Sequence, residues 1–124
     1  MRLKDKVALL AGVGPGMGRA TAILFAQEGA AVAVAARRTE NLEETVSRIR
    51  SLGGRATDMP GDVSVKSEAT RIVGDVVDRF GRLDILYCAA GGNFEPTRGF
   101  SDVSESFWQQ TMTNTVSSLY NLAY

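Results

Sequence analysis

The feature that most restricts this chain is an order of three local patterns near its start. Val7-Ala8-Leu9-Leu10-Ala11 is an apolar run with no polar position, a glycine cluster from Gly12 to Gly18 follows, and then apolar residues recur at helical spacing. A strand with no polar face needs cover on both sides, and parallel sheets flanked by helices provide that. Met17, Ala20, Thr21, Leu24 and Phe25 carry the helical spacing, and Gly29 ends it. Ala31-Val32-Ala33-Val34-Ala35 is a second buried run. The remainder repeats the alternation. Thr39 is placed to cap a helix whose Glu40, Glu43 and Glu44 suit its positive end and whose Leu42, Val46, Ile49 and Leu52 form an apolar stripe. Gly53-Gly54 stops it, and Arg55 to Met59 suits a short strand. Ser64 precedes an amphipathic stretch with Ala69, Ile72, Val73, Val76, Val77 and Phe80 on one side, closed by Gly81. Leu83 to Cys88 reads as a fourth strand, Gly91 to about Gly99 as a loop, and Ser104 as the cap of a last helix toward Tyr124. Strands alternating with helices predict an α/β fold: a doubly wound parallel sheet of Rossmann type with right-handed crossovers.

Composition narrows the chemistry. At 124 residues the chain is one domain at most. Lys plus Arg and Asp plus Glu are 14 each, so no bulk positive field invites nucleic acid. There is no histidine, which removes imidazole bases, His-based triads and most zinc sites, and a single cysteine removes internal disulfides and Cys clusters. No metal site is expected. The charged start and the short apolar run after it do not make a signal segment, and nothing reaches the length of a membrane span. The expectation is a soluble, cytoplasmic protein whose chemistry comes from a bound cofactor, carboxylates, hydroxyls, Lys or Arg.

The glycine loop Ala11-Gly12-Val13-Gly14-Pro15-Gly16-Met17-Gly18 joins the first strand to the first helix. Free main-chain amides at a helix N-terminus bind a pyrophosphate well, and glycines let the backbone come close. A turn that merely contains glycines is the competing reading, and the strand–loop–helix context weighs against it. The spacing G-x-G-x-x-G fails, because Met17 or Arg19 stands where a glycine is needed. The phosphate-loop spacing fails too, because no lysine follows in register. G-x-x-x-G-x-G fits, as Gly12, Gly16 and Gly18. With Arg19-Ala20 after it and Glu28-Gly29-Ala30 closing the helix, this resembles the short-chain dehydrogenase/reductase family. That family usually has Thr where Ala11 stands, so one hydrogen bond within the turn is lost.

The resemblance implies a set of cofactor-binding residues: Gly12, Gly14, Pro15, Gly16, Met17, Gly18, Arg37, Arg38, Asp62, Val63, Ala89, Ala90 and Gly91. Ala35-Ala36-Arg37-Arg38 occupies the segment where the family selects its dinucleotide. An acid at Ala36 would hold the ribose 2′-hydroxyl of NAD; alanine followed by two arginines suits a 2′-phosphate. NADP(H) is therefore the expected cofactor, with NAD(H) as the variant. Pro15 stands where some members carry a cation that assists. Gly61-Asp62-Val63 is similar to the pair whose carboxylate accepts from the adenine amino group, a helix-capping aspartate being the alternative. Cys88-Ala89-Ala90-Gly91 aligns with the family's N-N-A-G, both asparagines absent and the small residues kept. Cys88 reads as a small apolar strand residue rather than a nucleophile.

Ser104-Glu105-Ser106-Phe107-Trp108 followed by Asn114 resembles the helix bearing the family's active-site Asn, which holds a water in the proton relay. Asn114 is the one catalytic residue the resemblance implies. The family's remaining groups are a Ser and a Tyr-x-x-x-Lys, in which the Lys lowers the tyrosine's pKa. No lysine follows Lys66, and Tyr120 and Tyr124 read as helix residues. The expectation is thus the dinucleotide-binding half, residues 1–124, of one domain that is truncated after the helix following strand 4. It would serve hydride transfer with a small-molecule alcohol or carbonyl substrate, or stand as a non-catalytic module. A fourth strand whose far side is bare, with Ile85, Leu86 and Tyr87 on it, predicts a homo-oligomer or self-association.

Overall fold

The computed structural model describes residues 2–88, 105–106, 109 and 117–123. Four strands alternate with helices: β1 (Val7–Ala11), α1 (Met17–Gln27), β2 (Ala31–Ala36), α2 (Thr39–Ser51), β3 (Arg55–Pro60), α3 (Lys66–Phe80), β4 (Ile85–Cys88) and α4 (Ser118–Ala123). The strands form one parallel sheet in the order β3-β2-β1-β4. Val7 pairs with Ala31 and Ala11 with Ala35 on one side of β1; on the other, Ala8 pairs with Ile85 and Ala11 with Cys88. The Rossmann-type arrangement expected from the alternation is the one observed.

Period-two side-chain alternation sorts the strands into two cores. Val7, Leu9 and Ala11 of β1 join Ala31, Ala33 and Ala35 of β2 against Ala69, Ile72 and Val76 of α3 and Leu122 of α4. Ala8, Leu10, Val32 and Val34 face the other way, against Ala22 of α1 and Leu42, Val46 and Ile49 of α2. The chain therefore advances through β1, β2 and β3 with its helices on one face. It then returns across β1 through α3, on the other face. Right-handed crossovers running in opposite directions require that division.

Several local expectations shift. The inward side of α1 is Gly18, Arg19 and Ala22, whereas Met17 is 77% exposed and Leu24 is also exposed. Small residues let this helix lie close to the sheet, so its large apolar residues are not its buried ones. Thr39 is the first residue of α2 and caps nothing; the extended Arg38 precedes it. Leu52 follows the last turn of α2 and is 61% exposed, because the stripe it continues stops with the helix at Ser51. Val77 lies about 100° around the helix from the buried Val76 and is exposed. β3 reaches Pro60, and β4 begins at Ile85, two residues later than Leu83. α3 begins at Lys66 after an extended Val65, two residues beyond Ser64. No helix among the described residues is long and apolar enough to cross a membrane.

Candidate dinucleotide site at the carboxyl ends of the strands

The sheet order reverses between β1 and β4. In open α/β sheets such a switch point opens a crevice at the carboxyl ends of the strands. The β1–α1 loop sits there. Gly12 has φ +79°, a conformation that favours glycine, and its N–H donates to the Ala35 carbonyl at 2.7 Å. The Val13 N–H donates to the same oxygen at 3.2 Å, and the Gly61 N–H to the Ala36 carbonyl at 3.0 Å. The end of β2 is thus a backbone hub that gathers the β1–α1 and β3–α3 loops around itself. Main-chain carbonyls have no side-chain signature, so this hub was invisible in the pattern of residues.

The glycines divide their tasks. A Cβ on Gly18 would lie 3.0 Å from the Val13 Cα, so this residue allows the helix to close on the loop. Cβ atoms on Gly14 or Gly16 would meet nothing within 4 Å, which leaves the loop's main chain approachable from outside. Helix α1 has no side-chain cap and no acidic residue in its first turn. Its first intrahelical bond is donated by Ala20 to the Gly16 carbonyl at 3.1 Å. The N–H groups of Met17, Gly18 and Arg19 therefore have no partner within the helix, at the positive end of its dipole. Pro15, Gly16 and Met17 are exposed beside them. That donor set, free of any side-chain anion of its own, is chemically matched to a diphosphate.

Arg37 and Arg38 follow the last residue of β2. Both are exposed, and neither makes a hydrogen bond or ion pair among the described residues. Across the hub, Asp62 serves the local turn with one oxygen: Oδ1 accepts from the Ser64 N–H at 3.0 Å and from the Ser64 hydroxyl at 2.6 Å. The helix-capping role raised as an alternative for this aspartate is not the one observed, since Val65 precedes α3 and no side chain caps it; Asp62 instead forms the turn before it. That turn leaves Oδ2 with no hydrogen bond among the described residues, so a second role is open to the same side chain. The Asp62 N–H donates to Glu68 Oε1 at 3.3 Å, and the Val65 N–H to the Asp62 carbonyl at 3.0 Å. Val63 is buried against the α3 core. Asn121 of α4 holds the loop from the other side, donating through Nδ2 to the Val63 carbonyl at 3.2 Å and the Ser64 carbonyl at 3.0 Å. Lys66 completes that contact, with Nζ donating to the Asn121 carbonyl at 3.2 Å and lying 5.6 Å from the Tyr120 ring centroid.

Of the residues singled out from sequence, Gly12, Gly14, Pro15, Gly16, Arg37, Arg38, Asp62 and Val63 lie in the three loops at this one end of the sheet, and Met17 and Gly18 in the first turn of α1. Ala89, Ala90, Gly91 and Asn114 lie outside the described residues, as do Phe107 and Trp108. Cys88, the last residue of β4, is partly buried, pairs with Ala11 and packs against the α3-side core. No group of three or more metal-ligating side chains occurs among the described residues. At the opposite end of the sheet, Asp84 pins β1 to β4. Its Oδ2 accepts from the Val7 N–H at 2.9 Å, while Arg82 donates to Oδ1 through Nε at 3.0 Å and Nη2 at 2.6 Å. The Arg82 hydrogen bonds, and then the Val7 amide, hold the Asp84 carboxyl below the usual carboxylate range.

Residues 6–124 match the family model described as short chain dehydrogenase. An uncharacterized oxidoreductase of Thermotoga maritima is 38% identical over 123 residues, which is 99% of this chain and 47% of that protein. An A-factor type gamma-butyrolactone 1'-reductase of Streptomyces virginiae is 46% identical over 85 residues, 68% of this chain and 33% of that protein. Among solved structures, a putative short-chain dehydrogenase/reductase from Burkholderia xenovorans superimposes with a TM-score of 0.89 at 33% identity, covering 98% of this chain and 49% of that one. The chain thus spans about half the length of the full-length relatives it matches.

Proposed function

This chain belongs to the short-chain dehydrogenase family, and from that premise we propose that residues 1–124 form the dinucleotide-holding half of an NADP(H)-dependent oxidoreductase domain acting on a small alcohol or carbonyl compound. The observation that carries the reading is a juxtaposition. An uncapped helix N-terminus behind an open glycine loop shares one end of the sheet with two guanidinium groups that have no partner among the described residues.

Main-chain N–H groups of Gly14, Gly16, Met17 and Gly18 hold the diphosphate, with Gly12 shaping the turn and Pro15, which has no N–H to give, at its rim. Arg37 and Arg38 meet the 2′-phosphate with forked donors, a match that a 2′-hydroxyl does not need. Asp62 accepts from the adenine amino group through Oδ2, and the Val63 main chain assists. Ala89, Ala90 and Gly91 join the cofactor-binding set on the strength of the family pattern. Asn114 holds a water for proton relay. When bound, the cofactor supplies or accepts a hydride. The 124 residues contain no Tyr-x-x-x-Lys, so turnover needs groups other than these, and a non-catalytic dinucleotide-binding module is the second reading.

Calorimetric titration of the full chain with NADPH and NADH tests this. Saturable binding with NADPH preferred is expected. Replacing Arg37 and Arg38 together by alanine weakens NADPH by about tenfold or more, the scale of one or two charge-assisted contacts, and changes NADH little. Equal weakening of both removes the 2′-phosphate assignment, and no saturable binding of either overturns the reading.

A further inference from the structure

Arg19 enters the motif only as the residue after the last glycine, yet its side chain does not go to solvent. It is 6% exposed. Its Nε donates to Thr45 Oγ1 at 3.0 Å, and its Nη2 donates to the Asn41 carbonyl at 3.4 Å and lies 3.5 Å from Glu44 Oε2. Thr45 is fully buried and donates through its hydroxyl to the Asn41 carbonyl at 2.8 Å. Asn41 is the third residue of α2, which starts directly after Arg38. A buried polar tie therefore joins the turn just after Gly18 to the turn just after Arg38.

We propose that Arg19, locked by Thr45, is a positioning residue that sets the separation between the glycine loop and Arg37-Arg38, and through it the preference for a 2′-phosphorylated dinucleotide. The proposal rests on the cofactor reading above. Around this tie lies an apolar cluster that includes Ala22 of α1, Leu42 and Val46 of α2, and Val13 of the preceding loop. Such contact is non-directional and tolerates sliding. A buried guanidinium does not, because each donor left unpaired is costly, so one placement of α1 against α2 satisfies it. A dinucleotide with two phosphate centres must reach both subsites at once. A change in their separation loses the 2′-phosphate contacts while the diphosphate grip persists, so NADPH binding falls further than NADH binding.

The test is Thr45→Val, which keeps the side-chain shape and removes the hydroxyl, beside Thr45→Ser, which retains it, and Arg19→Met. Affinities for NADPH and NADH are measured calorimetrically on the full chain, with Arg37→Ala/Arg38→Ala as a separate arm. The expected result is an NADPH-to-NADH affinity ratio lowered about five- to tenfold in Thr45→Val, the scale of one lost buried hydrogen bond. Thr45→Ser retains the parent ratio. Arg19→Met follows Thr45→Val; if it does not fold, Thr45→Val decides alone. A ratio that depends on Arg37 and Arg38 but is unchanged in Thr45→Val overturns this proposal and leaves the cofactor reading standing, even if Thr45→Val melts earlier. A parent protein that binds neither dinucleotide overturns the cofactor reading and this proposal with it.

Discussion

At Gly18 a single methyl group is the issue. The Cβ it lacks would sit 3.0 Å from backbone at Val13 rather than against a side chain that could turn away. Gly18→Ala is expected to cost about 1–3 kcal/mol, the range for overpacking, read as a lower urea midpoint with unchanged slope. Gly16→Ala, whose Cβ meets nothing in the protein, leaves the midpoint within about 0.5–1 kcal/mol of the parent but weakens dinucleotide binding. Asp84 makes a prediction in pH. Its carboxyl lies below its ordinary range when folded, chiefly through Arg82, so it binds a proton less readily in the native than in the unfolded chain. The stability this contributes is present above the unfolded value and is lost as pH falls through the folded one. Asp84→Asn therefore lowers the urea midpoint at neutral pH, and the gap from the parent narrows below about pH 4. A gap that stays constant across that range would disprove the linkage.

Among the elements, α3 shows most directly how packing stabilises this fold. Ala69, Ile72 and Val76 are fully buried against alanines of β1 and β2, and Gly81 closes the helix with φ +81°. Ile72→Ala leaves a hole that neighbouring alanines cannot fill. It is expected to cost about 2–5 kcal/mol by chemical denaturation. The stripe on α3 was legible because long apolar residues line its buried side. Helix α1 was legible as a helix but not in its orientation, since Gly18 and Ala22 face inward and Met17 outward. Hydrophobic periodicity ranks residues by size and polarity, and a helix that packs closely inverts that ranking. The Arg19–Thr45 tie escaped notice for the same reason: a cation and a hydroxyl normally mark the solvent side of a helix.

In the whole molecule, β4 pairs with β1 on one side, and no strand among the described residues pairs with its other side. Ile85, Leu86, Tyr87 and Cys88 are all partly exposed there, although Tyr87 gains an edge-to-face contact with Phe25 at 6.3 Å. A short apolar edge strand is a template for pairing with another chain. A chain of these 124 residues is expected to run as a dimer or larger by light scattering at working concentration, and a Leu86→Lys variant to shift it toward monomer. A monodisperse monomer for the parent would rule out edge pairing. The described end of the sheet carries the candidate site, and the chain spans about half the length of the relatives it matches.

The order of apolar runs, glycines and amphipathic stretches was enough to establish four strands alternating with helices, because burial on two faces leaves an unmistakable mark on β1 and β2. It was also enough to nominate the glycine loop, from its place between a strand and a helix, while Arg37, Arg38 and Asp62 followed from the family resemblance that this loop carries. The convergence of those residues on one hub at Ala35 and Ala36, the use of one Asp62 oxygen in a turn, and the tie from Arg19 to Thr45 came only from folding. Each depends on contacts between segments distant along the chain, and such contacts leave no periodicity in either segment alone.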